Sequence, residues 1–167
     1  MANTYTAIAT VTATTSVANI EFTSIPATYT DLVIQASIRD NDTGKANDMT
    51  INFNSSSSNF TGKRIYGGGS SVVTDTTAPY AGSCVSDGAT SNTFSNNQIY
   101  IPNYTNANYK SFSIESVCEN NGTEGYNILY AGLWSDTAAI TNIKIIPKAA
   151  ISFKQYSTAT LYGIKNS

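Results

Sequence analysis

Strict alternation of apolar and polar residues is the dominant pattern along the chain. In the stretch 48–54, Met49, Ile51 and Phe53 share one face, and the residues between them are polar. A period of two with one apolar face is typical of a half-buried strand in an antiparallel sheet. The pattern predicts strands at 31–39, 48–54, 110–118, 125–134 and 155–164, with further candidates at 4–12, 17–23, 64–66, 98–101 and 140–146.

Turn-forming residues separate these strands, and no window has the 3.6-residue period of an amphipathic helix. Stretches rich in Asn, Gly and Ser occur at 54–62, 102–108 and 119–125. Many short strands with such punctuation are typical of a sandwich or barrel. The sequence therefore predicts one all-β domain over residues 1–167, an antiparallel two-sheet sandwich, jelly-roll-like, with about eight or more strands.

Two segments stand out against this pattern. The stretch 67–97 is the least regular, and a connection of that length in a compact domain is often functional or mobile. The C-terminus, by contrast, carries the β-branched and aromatic run 156–164 almost to its last residue. We interpret this run as a paired strand whose burial holds the terminus in place.

Composition narrows the classes of function. Charged residues make up 12% of the chain, about half the usual share, and Ser, Thr and Asn take their place. The net charge is −2 and the basic residues are scattered, so we expect no nucleic-acid partner. No apolar run is long enough to span a membrane, and the first residues lack the pattern of a secretory signal. We expect synthesis in a reducing cytoplasm.

The chain contains no histidine and two cysteines. The absence of histidine removes the commonest general base and most zinc or iron sites, and we expect no cofactor. In a reducing compartment, Cys84 and Cys118 are predicted to be free thiols that folding does not require.

Several motifs allow more than one interpretation. The acidic loop 40–48 could bind calcium, but its glycine is misplaced for an EF-hand and no glutamate closes it, which favours a loop whose side chains cap their own backbone. The glycines at 67–69 lack the lysine and helix of a phosphate-binding loop. Among the carboxylates, Glu21 and Glu115 fall within predicted strands, and nothing marks a catalytic pair.

Tyrosines that lie in or beside predicted loops are the candidate contacts for a partner. Exposed tyrosine among Ser and Asn residues is well suited to binding proteins or glycans. The alternative is that these tyrosines sit at strand ends and pack on their own sheet. The candidates are Tyr66, Tyr80, Tyr100, Tyr104 and Tyr109.

Four segments resemble a family of short proteins encoded in the structural-gene regions of tailed bacteriophages, especially phages of aquatic bacteria and cyanobacteria. They are 20–39, 92–121, 131–146 and 155–167, with YIPNY (100–104), GLWS (132–135) and YSTATLYGI (156–164) the most distinctive blocks. The resemblance covers most of the chain and is weakest at 67–90. It implies a β-sandwich component of the virion, and it brings no catalytic residues.

The hypotheses for function follow from that resemblance. The first is a head decoration (cement) protein that binds the major capsid protein or other virion proteins, bridges capsid subunits and acts as a homo-oligomer, for example a trimer. The alternative is a tail-fibre or receptor-binding module that contacts host surface glycans. A polysaccharide-degrading enzyme is a third, weaker hypothesis, and we expect no enzymatic activity.

Overall fold

The computed structural model describes residues 4–69, 71–122, 125–148 and 150–165. Over these ranges the chain forms twelve strands and no helix, hence no helix able to cross a membrane. This confirms the predicted all-β class. The strands are β1 (Thr4–Thr12), β2 (Ile20–Phe22), β3 (Asp31–Ile38), β4 (Ala46–Phe53), β5 (Phe60–Gly67), β6 (Val72–Thr76), β7 (Gly82–Val85), β8 (Ser95–Ile101), β9 (Lys110–Glu119), β10 (Gly125–Trp134), β11 (Ile143–Pro147) and β12 (Thr158–Lys165).

The strands form two antiparallel sheets of unequal width. The large sheet has eight strands in the order β1-β12-β3-β8-β9-β10-β5-β6, and the small sheet has four in the order β2-β11-β4-β7. Each element that alternated in the sequence turns its apolar face towards the other sheet, so the core lies between the sheets. The predicted two-sheet sandwich is confirmed.

Eight of the strands follow a jelly-roll path. β1, β3, β8 and β12 lie in the large sheet, and β2, β4, β7 and β11 lie in the small one. The orders β1-β12-β3-β8 and β2-β11-β4-β7 correspond to two interlocked Greek keys. The hairpins β5–β6 and β9–β10 are inserted into this path, and both extend the large sheet beyond β8.

The irregular stretch 67–97 contains two strands that the sequence did not predict. All four residues of β7 are buried, so the strand has no exposed face and its burial does not alternate along the sequence. After β7, Arg39 holds the following loop: its guanidinium donates hydrogen bonds to the carbonyl oxygens of Ala89 (3.1 Å), Thr90 (2.9 Å) and Thr93 (2.9 Å). The loop is thus fixed by a residue some fifty positions away in the sequence.

A buried polar network joins β7 to the large sheet. The backbone amide of Ser83 donates to Ser116 Oγ (3.0 Å), and that hydroxyl donates to Asn97 Oδ1 (2.6 Å). Gly82, with φ of +108°, permits this approach, because a Cβ there would lie 2.4 Å from Asn97 Oδ1. The small sheet therefore docks on β8 and β9 through its edge strand.

An aromatic cluster fills the core where the two sheets meet. Phe53 of the small sheet contacts the rings of Phe60, Phe112 and Trp134, with centroid distances of 5.3, 5.5 and 5.5 Å. Tilted and edge-on pairs at such distances contribute roughly 0.5–1.5 kcal/mol each beyond the area that they bury. These contacts link β4 to β5, β9 and β10.

The C-terminal strand is internal, as predicted. β12 pairs with β1 on one side and β3 on the other, and Leu161 is fully buried. The C-terminal residues of β12 are ordered because this strand is hydrogen-bonded to a neighbour on each side.

A chain truncated after Lys154 is expected not to fold, because it loses an internal strand, leaves β1 without a partner and leaves β3 unpaired on one side. Leu161→Ala, a milder change at the same strand, is expected to cost about 2–5 kcal/mol of unfolding free energy. Circular dichroism and thermal melting of both proteins check this. A cooperative melt of the truncated chain near the full-length temperature would show that β12 is a detachable arm.

Candidate functional site

Two of the five candidate tyrosines are not on the surface, which corrects the sequence interpretation. Tyr80 and Tyr104 are fully buried. The ring of Tyr80 packs on Tyr130 at 5.0 Å, and burial raises the pKa of Tyr80 to about 12. The hydroxyl of Tyr104 donates to the carbonyl oxygen of Pro26. Loop residues in this protein can thus be core residues, and these two rings make no partner contact in the folded chain.

The other three candidate tyrosines do not form one surface. Tyr66 is half-buried on the inner face of β5, where the Arg64 guanidinium lies 4.8 Å from its ring centroid. Tyr100 is half-buried on the outer face of β8, and its hydroxyl donates to Asp31 Oδ2 (3.0 Å). Tyr109, 60% exposed, precedes β9. They remain candidate contacts individually, but not as a cluster.

The acidic loop 40–48 caps its own backbone. Asp40 is fully buried, and its carboxylate accepts hydrogen bonds from the Asp42 amide (3.1 Å), Asn47 Nδ2 (2.9 Å) and Cys84 Sγ (3.1 Å). Asp42 Oδ1 accepts from the Gly44 amide at 2.7 Å. These are the local bonds expected of an Asx-rich loop. In the part of the chain that the structure describes, no group of three acidic or cysteine side chains is placed to hold a metal ion.

An exposed apolar patch lies on the outer face of the large sheet, the face turned away from the small sheet. It consists of Ile65, Val72, Val117 and Leu129, and Leu129 is 57% exposed. The patch results from the register of the strands. Leu129 pairs with Ile65 in one row across the sheet. In the next row, Asn127 and Gly67 lie between Val117 and Val72. The patch therefore crosses β9, β10, β5 and β6.

The surface around the patch is concave. Two grooves, of about 640 and 570 Å³, adjoin Ile65 and Leu129 and share Glu115 in their linings. Lys63 and Thr76 lie along the first groove, and Gly67 and Val72 along the second. Such concave apolar surface on a rigid sheet is suited to binding another protein.

The other half of the outer face is neutral and polar. Thr10 and Thr160 share a hydrogen bond (3.0 Å), as do Thr12 and Thr158 (3.1 Å). The next neighbours in the Thr10 row are Gln35 and Gln98, whose amides are bonded at 2.5 Å. These Thr and Gln side chains satisfy one another across strands, and the same half also carries the Tyr100–Asp31 hydrogen bond and the exposed Tyr5.

An ion cluster supports the patch from the inner side of β5. Arg64 donates to both carboxylate oxygens of Asp75 (2.7 and 2.9 Å) and to Asp48 Oδ1 (2.9 Å). The bonds from Arg64 hold the pKa of the Asp75 carboxyl below its usual value. Because Asp75 is on β6 and Asp48 on β4, this guanidinium ties the edge strand to the small sheet.

The sequence did contain a signal for the patch. In the predicted strand 110–118, Val117 shares its face with Glu115, and in the predicted strand 125–134, Leu129 shares its face with Asn127 and Ala131. Single exposed apolar residues are common on protein surfaces, so this signal gained meaning only when the register placed these residues side by side. Val72 lay in the region without a predicted strand, so no face could be assigned to it.

The chain was compared with protein-family models, with curated proteins and with solved structures, and none of them matches it.

Cys84 and Cys118 are both free and buried, as predicted for unpaired thiols. Burial raises the pKa of Cys118 to about 12, and burial followed by the Asp40 carboxylate raises that of Cys84. At pH 8 the native protein is expected to react with an aromatic disulfide reagent far more slowly than the same protein in guanidinium chloride, which should titrate both thiols. Rapid native labelling of either thiol would contradict this burial.

Arg64→Met is expected to lower the free energy of unfolding by about 1–3 kcal/mol, because two carboxylates lose charged hydrogen bonds at a partly buried position. Lys144→Met is the matched control. It removes a solvent-screened ion pair with Glu21 (3.2 Å), for which a much smaller loss is expected. Urea unfolding measures both; equal losses would show that Arg64 does not anchor β6.

Proposed function

We propose that this chain is a structural component of a phage virion, a head decoration protein that binds the assembled capsid shell through its outer face. The observation that carries the proposal is the apolar patch of Ile65, Val72, Val117 and Leu129, which no described part of the chain covers. The resemblance of four segments to phage structural proteins supports it. The jelly-roll path is compatible with it, but this fold serves many functions and carries no argument alone.

The patch is suited to an extended protein surface. Only Glu115 and Lys63 bring charge to the rows around Leu129, so docking would desolvate few charges. Exposed apolar area removed from water contributes about 25 cal/mol per Å². The cost of ordering is low because the patch lies on paired strands. A partner with complementary apolar surface would therefore gain affinity mainly by burial.

Stabilisation of the shell would follow by mass action. A protein that binds the assembled lattice, and not free capsid subunits, shifts the equilibrium towards the lattice by RT ln(1 + [L]/Kd). The sandwich contributes rigidity: its strands are paired through the core, and the Arg64 cluster fixes the edge of the docking face. This mechanism requires no catalytic group.

One feature favours the rival function of receptor binding. A pocket of about 330 Å³ opens beside the Arg64 cluster and is lined by Tyr66, Tyr126, Asp48 and Lys148, among others. The two tyrosine rings contact edge-on at 6.4 Å. Aromatic faces beside charged and amide groups form a chemistry that can bind a sugar ring. A tail module would use this pocket to contact host glycans.

Leu129→Glu is expected to abolish binding of the purified protein to shells assembled without it, because a carboxylate would be buried in the apolar patch. Ser57→Glu, which adds the same charge at an exposed loop, is the matched control and should bind normally. Tyr109→Glu tests the loop-tyrosine hypothesis in the same assay. Co-sedimentation with shells and with free capsid protein measures all three.

The same particles distinguish the two functions. Particles without the chain are expected to assemble and adsorb to cells but to break at lower temperature, and wild-type protein should restore their strength. Particles of normal strength that fail to adsorb would overturn the decoration proposal and support receptor binding. Normal binding of Leu129→Glu would exclude the patch as the docking surface.

A further inference from the structure

The large sheet ends in an open edge at β6, and this strand exposes one valine on each of its faces. Val72, on the outer face, is 69% exposed, and Val73, on the inner face, is also exposed. In the described ranges β6 pairs only with β5. The edge of the sheet is therefore open beside two exposed valines.

β6 has part of the usual protection of an edge, because it is only five residues long and Asp75 places a charge on its inner face, but other protective features are missing. Natural edges carry lysine, proline or bulges that discourage pairing with another strand. β6 contains neither residue, and its register with β5 is unbroken. The opposite edge, β1, has a register shift between Ala7 and Ala9. β6 is therefore the edge better prepared to accept a further strand.

Charge does not oppose the approach of an identical strand. Asp75 is the one charged residue of β6, and Arg64 neutralises it through two hydrogen bonds. The apolar patch, moreover, reaches this edge at Val72, whereas the row of Ile65 ends in Thr74 of β6. A second copy would both pair the edge and continue the patch.

We propose that β6 pairs antiparallel with β6 of a second copy of this chain, so that two large sheets become one continuous sheet about a two-fold axis. In an antiparallel pair, directly opposed residues face the same side of the sheet. A two-fold axis must therefore pass through a residue that opposes its own copy, and near the middle of β6 that residue is Val73 or Thr74. Neither register places the two Asp75 side chains opposite each other. The two patches then adjoin across the axis. This inference does not depend on the proposed virion function.

Cysteine substitutions at the axis test the pairing directly. Directly opposed residues in antiparallel strands have Cα atoms about 4.5–5.5 Å apart, within the roughly 4.4–6.8 Å that a disulfide spans. Under mild oxidation, either Val73→Cys or Thr74→Cys is expected to form a covalent dimer rapidly. Two control variants are compared in the same assay. The rate of dimer formation by Ser57→Cys measures cross-linking through random collision, and the rate for Thr10→Cys measures cross-linking through pairing at β1. The natural thiols are buried and do not compete.

Sedimentation equilibrium gives the second readout. The wild-type mass is expected to rise from one chain towards two with increasing concentration, and Val72→Lys should remain at one chain with an unchanged circular dichroism spectrum. Tyr109→Lys, another exposed apolar residue, should behave as wild type. A single-chain mass at every concentration, or cross-linking at 73 and 74 no faster than at 57, or faster cross-linking at 10, would overturn the proposal. Shell binding by a monomer would leave the proposed function unaffected.

Discussion

The inner face of an eight-stranded sheet must be kept from water, and the second sheet has only four strands to cover it. The small sheet reaches from β1, near β2, to β9, where β7 docks. Phe53 of the small sheet contacts Phe60 of β5 and Trp134 of β10, but the inner faces of these two strands extend beyond the small sheet. The chain covers them with the segment before β7: Tyr80 packs on Tyr130, and the Tyr130 hydroxyl donates to the carbonyl oxygen of Thr77 at 2.9 Å. This mismatch in width explains why a loop tyrosine is a core residue.

The same mismatch explains the Arg64 cluster. At the far end of the large sheet the apolar core gives way to a guanidinium that lies between the Tyr66 and Tyr80 rings, 4.8 and 5.1 Å from their centroids. Its hydrogen bonds reach Asp48 in the small sheet and Asp75 at the edge. Where the second sheet is missing, a charged side chain with satisfied bonds closes the sandwich. The open edge and the exposed patch lie just outside this closure.

The insertion of two hairpins into the jelly-roll path has a functional consequence for both proposals. Without β5–β6 and β9–β10, the large sheet would end at β8, and its outer face would be the neutral Thr and Gln half. All four residues of the apolar patch belong to the inserted strands. The low charge of the chain contributes as well, because a row in which Glu115 is the one charge among Thr, Gln, Leu and Ile can adjoin another protein with little desolvation of charge.

The alternation of side chains was enough to predict the all-β class, the internal C-terminal strand and most of the strands. Half-buried antiparallel strands such as β4 and β9 record their two faces in the sequence directly. β7 and β6 do not, because β7 is buried throughout and β6 is exposed on both sides. The burial of Tyr80 and Tyr104, the anchoring of the 86–94 loop by Arg39 and the assembly of the patch also depended on tertiary structure. Each of these features joins residues that are far apart in the chain. The register of the strands and the width of the sheets bring these residues together, and neither produces a periodic pattern in the local sequence.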